Sequence, residues 1–261
     1  MKKYDKLRAI AKQSRIDCLE MTYKAKSSHI GSCFSIIEIL VILYFKFLKK
    51  DEKNNFIMSK GHAAAALYSI LSLKKFFKRS LLKNYCSNGF NFSGHVNHNI
   101  NGVFLSTGAL GHGLPVASGI AITKKKKNKK IFVLISDGEC DEGTTWESAL
   151  FASHNNLNNL IVVVDYNKIQ SFGNIKDILN LEPIEDKWKS FNWFTQRING
   201  HNFNQLDNAI KKSLKSKKPS VIICDTIKGK GVSFMENKLK WHYKNVNNNE
   251  LINAKREISK L

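Results

Sequence analysis

The apolar residues of the chain change their spacing near its middle. In the first quarter, Leu7, Ile10, Ala11, Cys18 and Met21 recur at near-helical intervals and predict an amphipathic helix. A loop, Ser27-Ser28-His29-Ile30-Gly31-Ser32, separates it from an apolar helix expected to begin near Ser35. An Ala- and Leu-rich helix is expected over 62–73, followed by a polar loop with Gly and His over 84–107. Beyond Gly113 the pattern alternates. Helices are predicted at 114–123, 145–155 and 203–214, with another ending at 188–191, and strands at 131–135, 160–164, 193–198 and 221–225. Short, wholly apolar strands alternating with helices predict an α/β fold, a mostly parallel sheet covered by helices on both faces. There is no internal repeat or long linker, so one domain over 1–261, decorated at both ends, is expected.

Composition sharpens this picture only in places. A hydrophobic content of 43% in 261 residues suits one large core or two modest ones. The most apolar stretch, 34–48, contains Glu38 and Lys46 and falls short of the about 20 residues that cross a bilayer, so it predicts a buried helix. Met1-Lys2-Lys3-Tyr4-Asp5 lacks the apolar segment of a secretory signal. The five cysteines are odd in number and form no CxxC pair, which points to reduced thiols and a cytoplasmic protein. The net charge of +21 suggests nucleic acid, but only five of the 42 basic residues are Arg, the residue that best reads bases and phosphates. A Lys and Asn excess is also what AT-rich coding produces. The lysine run over 124–130, broken by Asn128, reads as a solvated turn. Neither nucleic acid nor a membrane is expected as a partner.

In open parallel sheets, ligands bind beyond the carboxyl ends of the strands. The strand at 131–135 runs into Ser136-Asp137-Gly138-Glu139, and that at 160–164 into Asp165-Tyr166-Asn167-Lys168-Ile169. Asp137 and Asn167 lie one strand–helix–strand unit apart, which brings a carboxylate and an amide oxygen to neighbouring strand ends. With a nearby carbonyl they are hard ligands suited to Mg²⁺ or Ca²⁺, leaving room for phosphate oxygens. Gly138 lets backbone approach a diphosphate, and a helix starting near Gly143 aims its N-terminus at the same region. Asp-Gly at a strand end is also a common turn.

Asp137-Gly138 followed by Asp165-Tyr166-Asn167 resembles the thiamine diphosphate fingerprint, GDG with a later Asn. Four further segments are similar to the transketolase family. They are Ser59-Lys60-Gly61-His62, the run Ser106-Thr107-Gly108-Ala109-Leu110-Gly111-His112-Gly113, Trp146-Glu147-Ser148-Ala149, and Lys228-Gly229-Lys230-Gly231-Val232 followed by Trp241-His242. The resemblance runs from about residue 5 to 245, in the family's order.

The resemblance implies a thiamine diphosphate-binding fold of the diphosphate-binding type. It implies metal binding by Asp137, Asn167 and the main-chain carbonyl of Ile169, with Mg²⁺ or Ca²⁺ as the ion. Cofactor contacts are implied for Gly138 and Glu139, and for Gly108 and Leu110 lining the pocket. His29 and His62 would sit near the thiazolium and diphosphate, and His29, His95 and His242 would serve catalysis, the last two approaching the sugar. Glu142 matches a glutamate at the family's subunit interface that links two active sites. His98, His154 and His201 match nothing and read as surface or structural residues.

Transketolases move a two-carbon ketol unit from a ketose phosphate to an aldose phosphate, an activity of the pentose phosphate pathway. Full-length members are more than twice this size, with a second domain that binds the aminopyrimidine and activates it. Some members are split between chains. The resemblance therefore implies an N-terminal subunit that needs a separate C-terminal subunit, forms a heterotetramer with it and exposes an apolar face until then. Ser136 in place of the first Gly of GDG, Phe172 where Asp is common and Tyr243 where Gly is frequent bear on the sugar more than the cofactor. They also fit a branch serving specialised sugar biosynthesis. Related alternatives are 1-deoxyxylulose-5-phosphate synthase and the thiamine-dependent part of 2-oxo-acid dehydrogenases. A basic nucleic-acid-binding protein and a non-catalytic scaffold are the alternatives outside enzymology.

Overall fold

The alternation beyond Gly113 is realised as a parallel sheet. The computed structural model describes residues 3–50, 55–127 and 129–261. Met1, Lys2 and Asn128, which enter the readings of the N-terminus and the lysine run, lie outside the described residues. Strands β1 (Phe56–Met58), β2 (Ile131–Ser136), β3 (Leu160–Tyr166), β4 (Phe194–Asn199) and β5 (Ser220–Asp225) form one sheet in the order β1-β2-β3-β5-β4. Every neighbouring pair is parallel. All residues of β2 and β3 are buried, alternate positions included, as expected of strands covered on both faces.

Contacts divide the chain into two compact units. One comprises Glu52–Lys60 and Thr107–Asp225 and holds the whole sheet. Its helices are α5 (Gly113–Lys124), α6 (Gly143–His154), α7 (Ile175–Ile178), α8 (Ile184–Ser190) and α9 (Phe203–Lys215). Helix α5 packs on β2 and β3, and α8 and α9 on β4. Asn202 caps α9 by accepting from the N–H groups of Asn204 and Gln205, which satisfies donors that the first turn leaves over.

The other unit gathers Met1–Asp51, Gly61–Ser106 and Thr226–Leu261. It holds α1 (Asp5–Ala25), α2 (Ile30–Phe34), α3 (Ile37–Ile42), α4 (Ala64–Leu73) and α10 (Asn248–Ser259). Arg15 ties it together. Its guanidinium pairs with Glu38 at 2.8 Å and donates to the Lys230 carbonyl at 2.8 Å, joining α1, α3 and the loop after Thr226. Residues 34–43 are buried throughout, so the apolar stretch is a core segment. It is not one helix, however. Helix α2 starts at Ile30, because His29 takes a left-handed conformation (φ 73°) that sets its N-terminus, and a π-helical turn, Leu43–Phe47, follows α3. Among the described residues no helix is long and apolar enough to cross a membrane.

Among the elements that went unforeseen are β1, α7 and α10. Strand β1 is three residues long, too short to show a period. Helix α10 opens with a capping box, Asn247 and Glu250 exchanging side-chain and backbone bonds. The lysines at 125–127 form one exposed helical turn, as expected of a connection.

Candidate functional site

In the sheet-bearing unit the chemistry collects where β1, β2 and β3 end. Register pairs Ser136 with Asp165, so the residues just past each strand are neighbours. The N–H of Asp137 donates to the Asp165 carbonyl at 3.1 Å. The Asp137 carboxylate accepts from Gly138 N–H at 2.9 Å and from Lys168 N–H at 2.6 Å, which holds it beside the turn that carries Asn167. The amide oxygen of Asn167 accepts from Ile169 N–H at 3.1 Å. Asp137 and Asn167 are thus brought together as expected, and Ile169 follows on the same turn. A Cβ built on Gly138 would meet nothing closer than the Gln170 side chain at 3.6 Å, so the protein itself leaves that side of the turn open.

Beneath these residues is a layer of buried charge. Asp137 is 2% exposed, and Glu139, Asp165 and Lys60 are wholly buried. Lys60 pairs with the Asp165 carboxylate, and the same carboxylate oxygen accepts from the Asn167 amide nitrogen at 2.9 Å. Burial, and next the Asp165 carboxylate, push the Asp137 carboxyl up to about 6, against the N–H donors and the Lys60 ammonium. Three buried carboxylates therefore face one buried ammonium at this strand end. That surplus of negative charge, with hard oxygens from Asp137, Asn167 and the Ile169 carbonyl, suits a divalent cation.

Glu139 is turned inward. One oxygen accepts from the Ser59 hydroxyl and from Gly111 N–H at 3.1 Å, the other from Ser136 N–H at 2.8 Å. Burial raises its pKa while these donors oppose the rise. Its carboxylate acts by positioning the loop that carries Gly108 and Leu110. That loop is tight. Gly111 has φ 75°, and a Cβ at Gly113 would lie 2.3 Å from the Ser59 oxygen, so neither position admits a side chain. Gly108 is exposed and Leu110 half-buried. Glu142 is exposed where α6 begins.

The other unit gathers four histidines. The His29 ring lies 5.4 Å from His62, 5.9 Å from His95 and 4.9 Å from His242, centre to centre, and His62 lies 5.9 Å from His242. His29, His62 and His242 are half-buried and His95 exposed. Backbone devices set them. His29 N–H donates to the His242 carbonyl at 2.9 Å, and the Tyr68 hydroxyl donates to the His95 carbonyl at 2.9 Å. The Lys228 ammonium, buried, meets His242 Nδ1 at 2.9 Å. An ammonium only donates, so Nδ1 accepts and a neutral His242 carries its proton on Nε2. His98 bonds to Ser106, while His154 closes α6 and His201 follows β4 in the sheet-bearing unit.

Sequence reasoning gave no role to Lys60, Asp165 or Lys228. The signal was present in each case, a charged residue inside a matched segment, at a strand end or beside a glycine. Lysines are almost never fully buried without a partner, but the partner emerges only from the fold.

Known proteins share this arrangement of segments. The family model described as "Transketolase, thiamine diphosphate binding domain" matches residues 6–259. The chain is 40% identical over 235 residues, 86% of either chain, to the 6-deoxy-6-sulfo-D-fructose transketolase subunit SqwG of Clostridium sp. (strain MSTE9). It is 38% identical over 252 residues to an apulose-4-phosphate transketolase subunit of Actinobacillus succinogenes (strain ATCC 55618 / DSM 22257 / CCUG 43843 / 130Z), covering 92% of this chain and 91% of that one. The crystal structure of transketolase from Campylobacter jejuni subsp. jejuni NCTC 11168 superimposes with a TM-score of 0.90 at 30% identity. That match covers 97% of this chain but only 42% of the solved one.

Proposed function

The chain belongs to the family of transketolase thiamine diphosphate-binding domains, and we propose that it is the N-terminal subunit of a split transketolase. The observation that carries this reading is the Asp137 carboxylate held on the Lys168 N–H, next to an Asn167 that bonds the buried Lys60–Asp165 pair. Asp137, Asn167 and the Ile169 carbonyl would hold a divalent cation, Mg²⁺ or Ca²⁺, which would offset the charge of the cofactor diphosphate. Gly138 leaves space for the diphosphate, Gly108 and Leu110 line the cofactor, and Glu139 supports their loop. Bound thiamine diphosphate supplies a nucleophilic carbon and an electron sink for breaking and re-forming a carbon–carbon bond beside a carbonyl.

The histidines serve the proton transfers that a sugar hydroxyl and carbonyl need. Imidazoles suit this work because their ordinary pKa lies near neutrality. With Nδ1 held by Lys228, His242 would use Nε2–H as a donor to a substrate oxygen. His95, the exposed member, meets the sugar, while His29 and His62 serve the cofactor. Glu142 stands at the interface with another subunit.

The partner is a separate chain that supplies the remainder of a transketolase, since relatives of this length are named as subunits and the solved transketolase is more than twice as long. A heterotetramer in the cytoplasm is the expected assembly. The two named relatives act on unusual sugars, which favours specialised sugar metabolism over the pentose phosphate pathway for this chain. Phe172, 83% exposed, and Tyr243, packed edge-on 4.9 Å from His242, belong to that question. Co-purification with the complementary chain, followed by assays with common and specialised ketose phosphates, tests the reading. Turnover is expected only with both chains, cofactor and a divalent ion. A pair that binds the cofactor yet transfers no ketol unit from any donor would favour the scaffold.

A further inference from the structure

From the strand-end geometry we infer that Asp165, held by Lys60, is a positioning residue that decides which end of the Asn167 amide faces the metal. This inference rests on the proposed metal site. An amide side chain is nearly symmetric in shape but not in chemistry, since its oxygen ligates a cation and its NH₂ repels one. Something must therefore choose between two orientations. In the structure the Asn167 nitrogen donates to Asp165 Oδ2 at 2.9 Å. The opposite orientation would set the amide oxygen against that carboxylate, oxygen to oxygen. The correct one leaves the amide oxygen on the side of Ile169 N–H, 3.1 Å away.

Asp165 can exercise this choice only if its charge stays fixed in place. It is wholly buried on β3, and the equally buried Lys60 bonds the oxygen that Asn167 uses. Lys60 also offsets the repulsion of Asp165 on Asp137, the other side-chain ligand of the proposed set. The pair therefore serves both ligands. Outer-shell partners of this kind orient metal ligands, and their loss typically weakens metal binding by about 10–100-fold.

The arrangement predicts a reversal between two substitutions. Asn167→Asp adds a negative ligand and would ordinarily tighten cation binding, but here it faces the Asp165 carboxylate and is expected to weaken it. Asp165→Asn removes the selection of orientation and is expected to weaken it by about 10–100-fold. Combined, the two exchange amide and carboxylate. The carboxylate at position 167 offers oxygen in either orientation and so needs no selection, while the amide at 165 removes the like charge opposite it, although it can serve only one of Lys60 and residue 167 because both meet the same Oδ2. The double variant should recover to within about fivefold of wild type.

The experiment is calorimetric titration of Mn²⁺ in the presence of thiamine diphosphate on the assembled protein, with thermal unfolding of each metal-free variant alongside. The expected result is that both single variants weaken Mn²⁺ binding and the double variant restores it, whatever the metal-free midpoints do. The inference is overturned if Asn167→Asp binds Mn²⁺ as well as wild type or better, or if the double variant is no better than the weaker single one. Should Asp165→Asn fail to fold, the sign of the Asn167→Asp effect decides. Absence of binding in the wild type would instead defeat the metal site itself.

Discussion

The strand end and the histidine cluster reach order by different means. At the strand end, the carboxylates and the lysine are buried, and their oxygens accept from several protein donors. Among the histidines the rings are half-buried or exposed, and much of what places them is backbone, the left-handed His29 and the carbonyl bonds of His242 and His95. Burial makes each charge at the strand end costly to move, so that region is preorganised to hold one ligand in one geometry. Imidazoles open to solvent can gain and lose protons as a reaction proceeds. Under the proposed function, this difference corresponds to anchoring in one unit and proton handling in the other.

Four predictions bear on that contrast. Asp137→Ala should have the largest effect, lowering metal-dependent thiamine diphosphate affinity by more than about 100-fold in calorimetry, because it removes a ligand and not merely its support. Next is pH. The folded protein raises the Asp137 carboxyl to about 6, above the roughly 3.9 of an unfolded chain, so folding favours its protonated form. This group's contribution is full below about pH 4 and is lost as pH rises through about 6, by up to about 3 kcal/mol in the metal-free protein. Unfolding midpoints across that window should show the decline, Asp137→Asn should flatten it, and saturating Mg²⁺ should abolish it.

His242→Ala should lower kcat of the assembled enzyme by about 100-fold, the scale of general acid–base catalysis, with cofactor affinity changed less than about threefold. A comparable loss of cofactor binding would erase the distinction between the two regions. The smallest effect is expected of Phe172→Asp. At 83% exposure it makes little packing contribution, so stability should stay within about 0.5 kcal/mol by denaturant unfolding and cofactor affinity should not change.

Much of this was legible beforehand. The fully apolar segments now forming β2 and β3 could be nothing but covered parallel strands or buried helix, and their length decided for strands. Asp137 and Asn167 were found because strand ends are where ligands bind, and their order with the glycine and histidine segments gave the resemblance. The rest depended on long-range contacts. Ser59 and Lys60 lie far along the chain from Glu139 and Asp165, and nothing local says that they meet. Residue type does not say that the Glu139 carboxylate bonds Ser59, Gly111 and Ser136, since a glutamate beside a glycine turn looks the same whether it points out or in. His29 showed as a loop residue, but its left-handed backbone, which starts α2 early, is not encoded in residue type. The division of the described chain into two units also escaped the pattern, because the boundary between Lys60 and Gly61 falls inside a matched segment.

The most direct test is titration of thiamine diphosphate into the assembled wild-type protein, once with Mg²⁺ and once with the divalent ions removed by a chelator. The account predicts saturable binding with Mg²⁺ and a loss of affinity of at least about 100-fold without it, reversed when Mg²⁺ is restored. Equal binding in both conditions, or none in either, would contradict it.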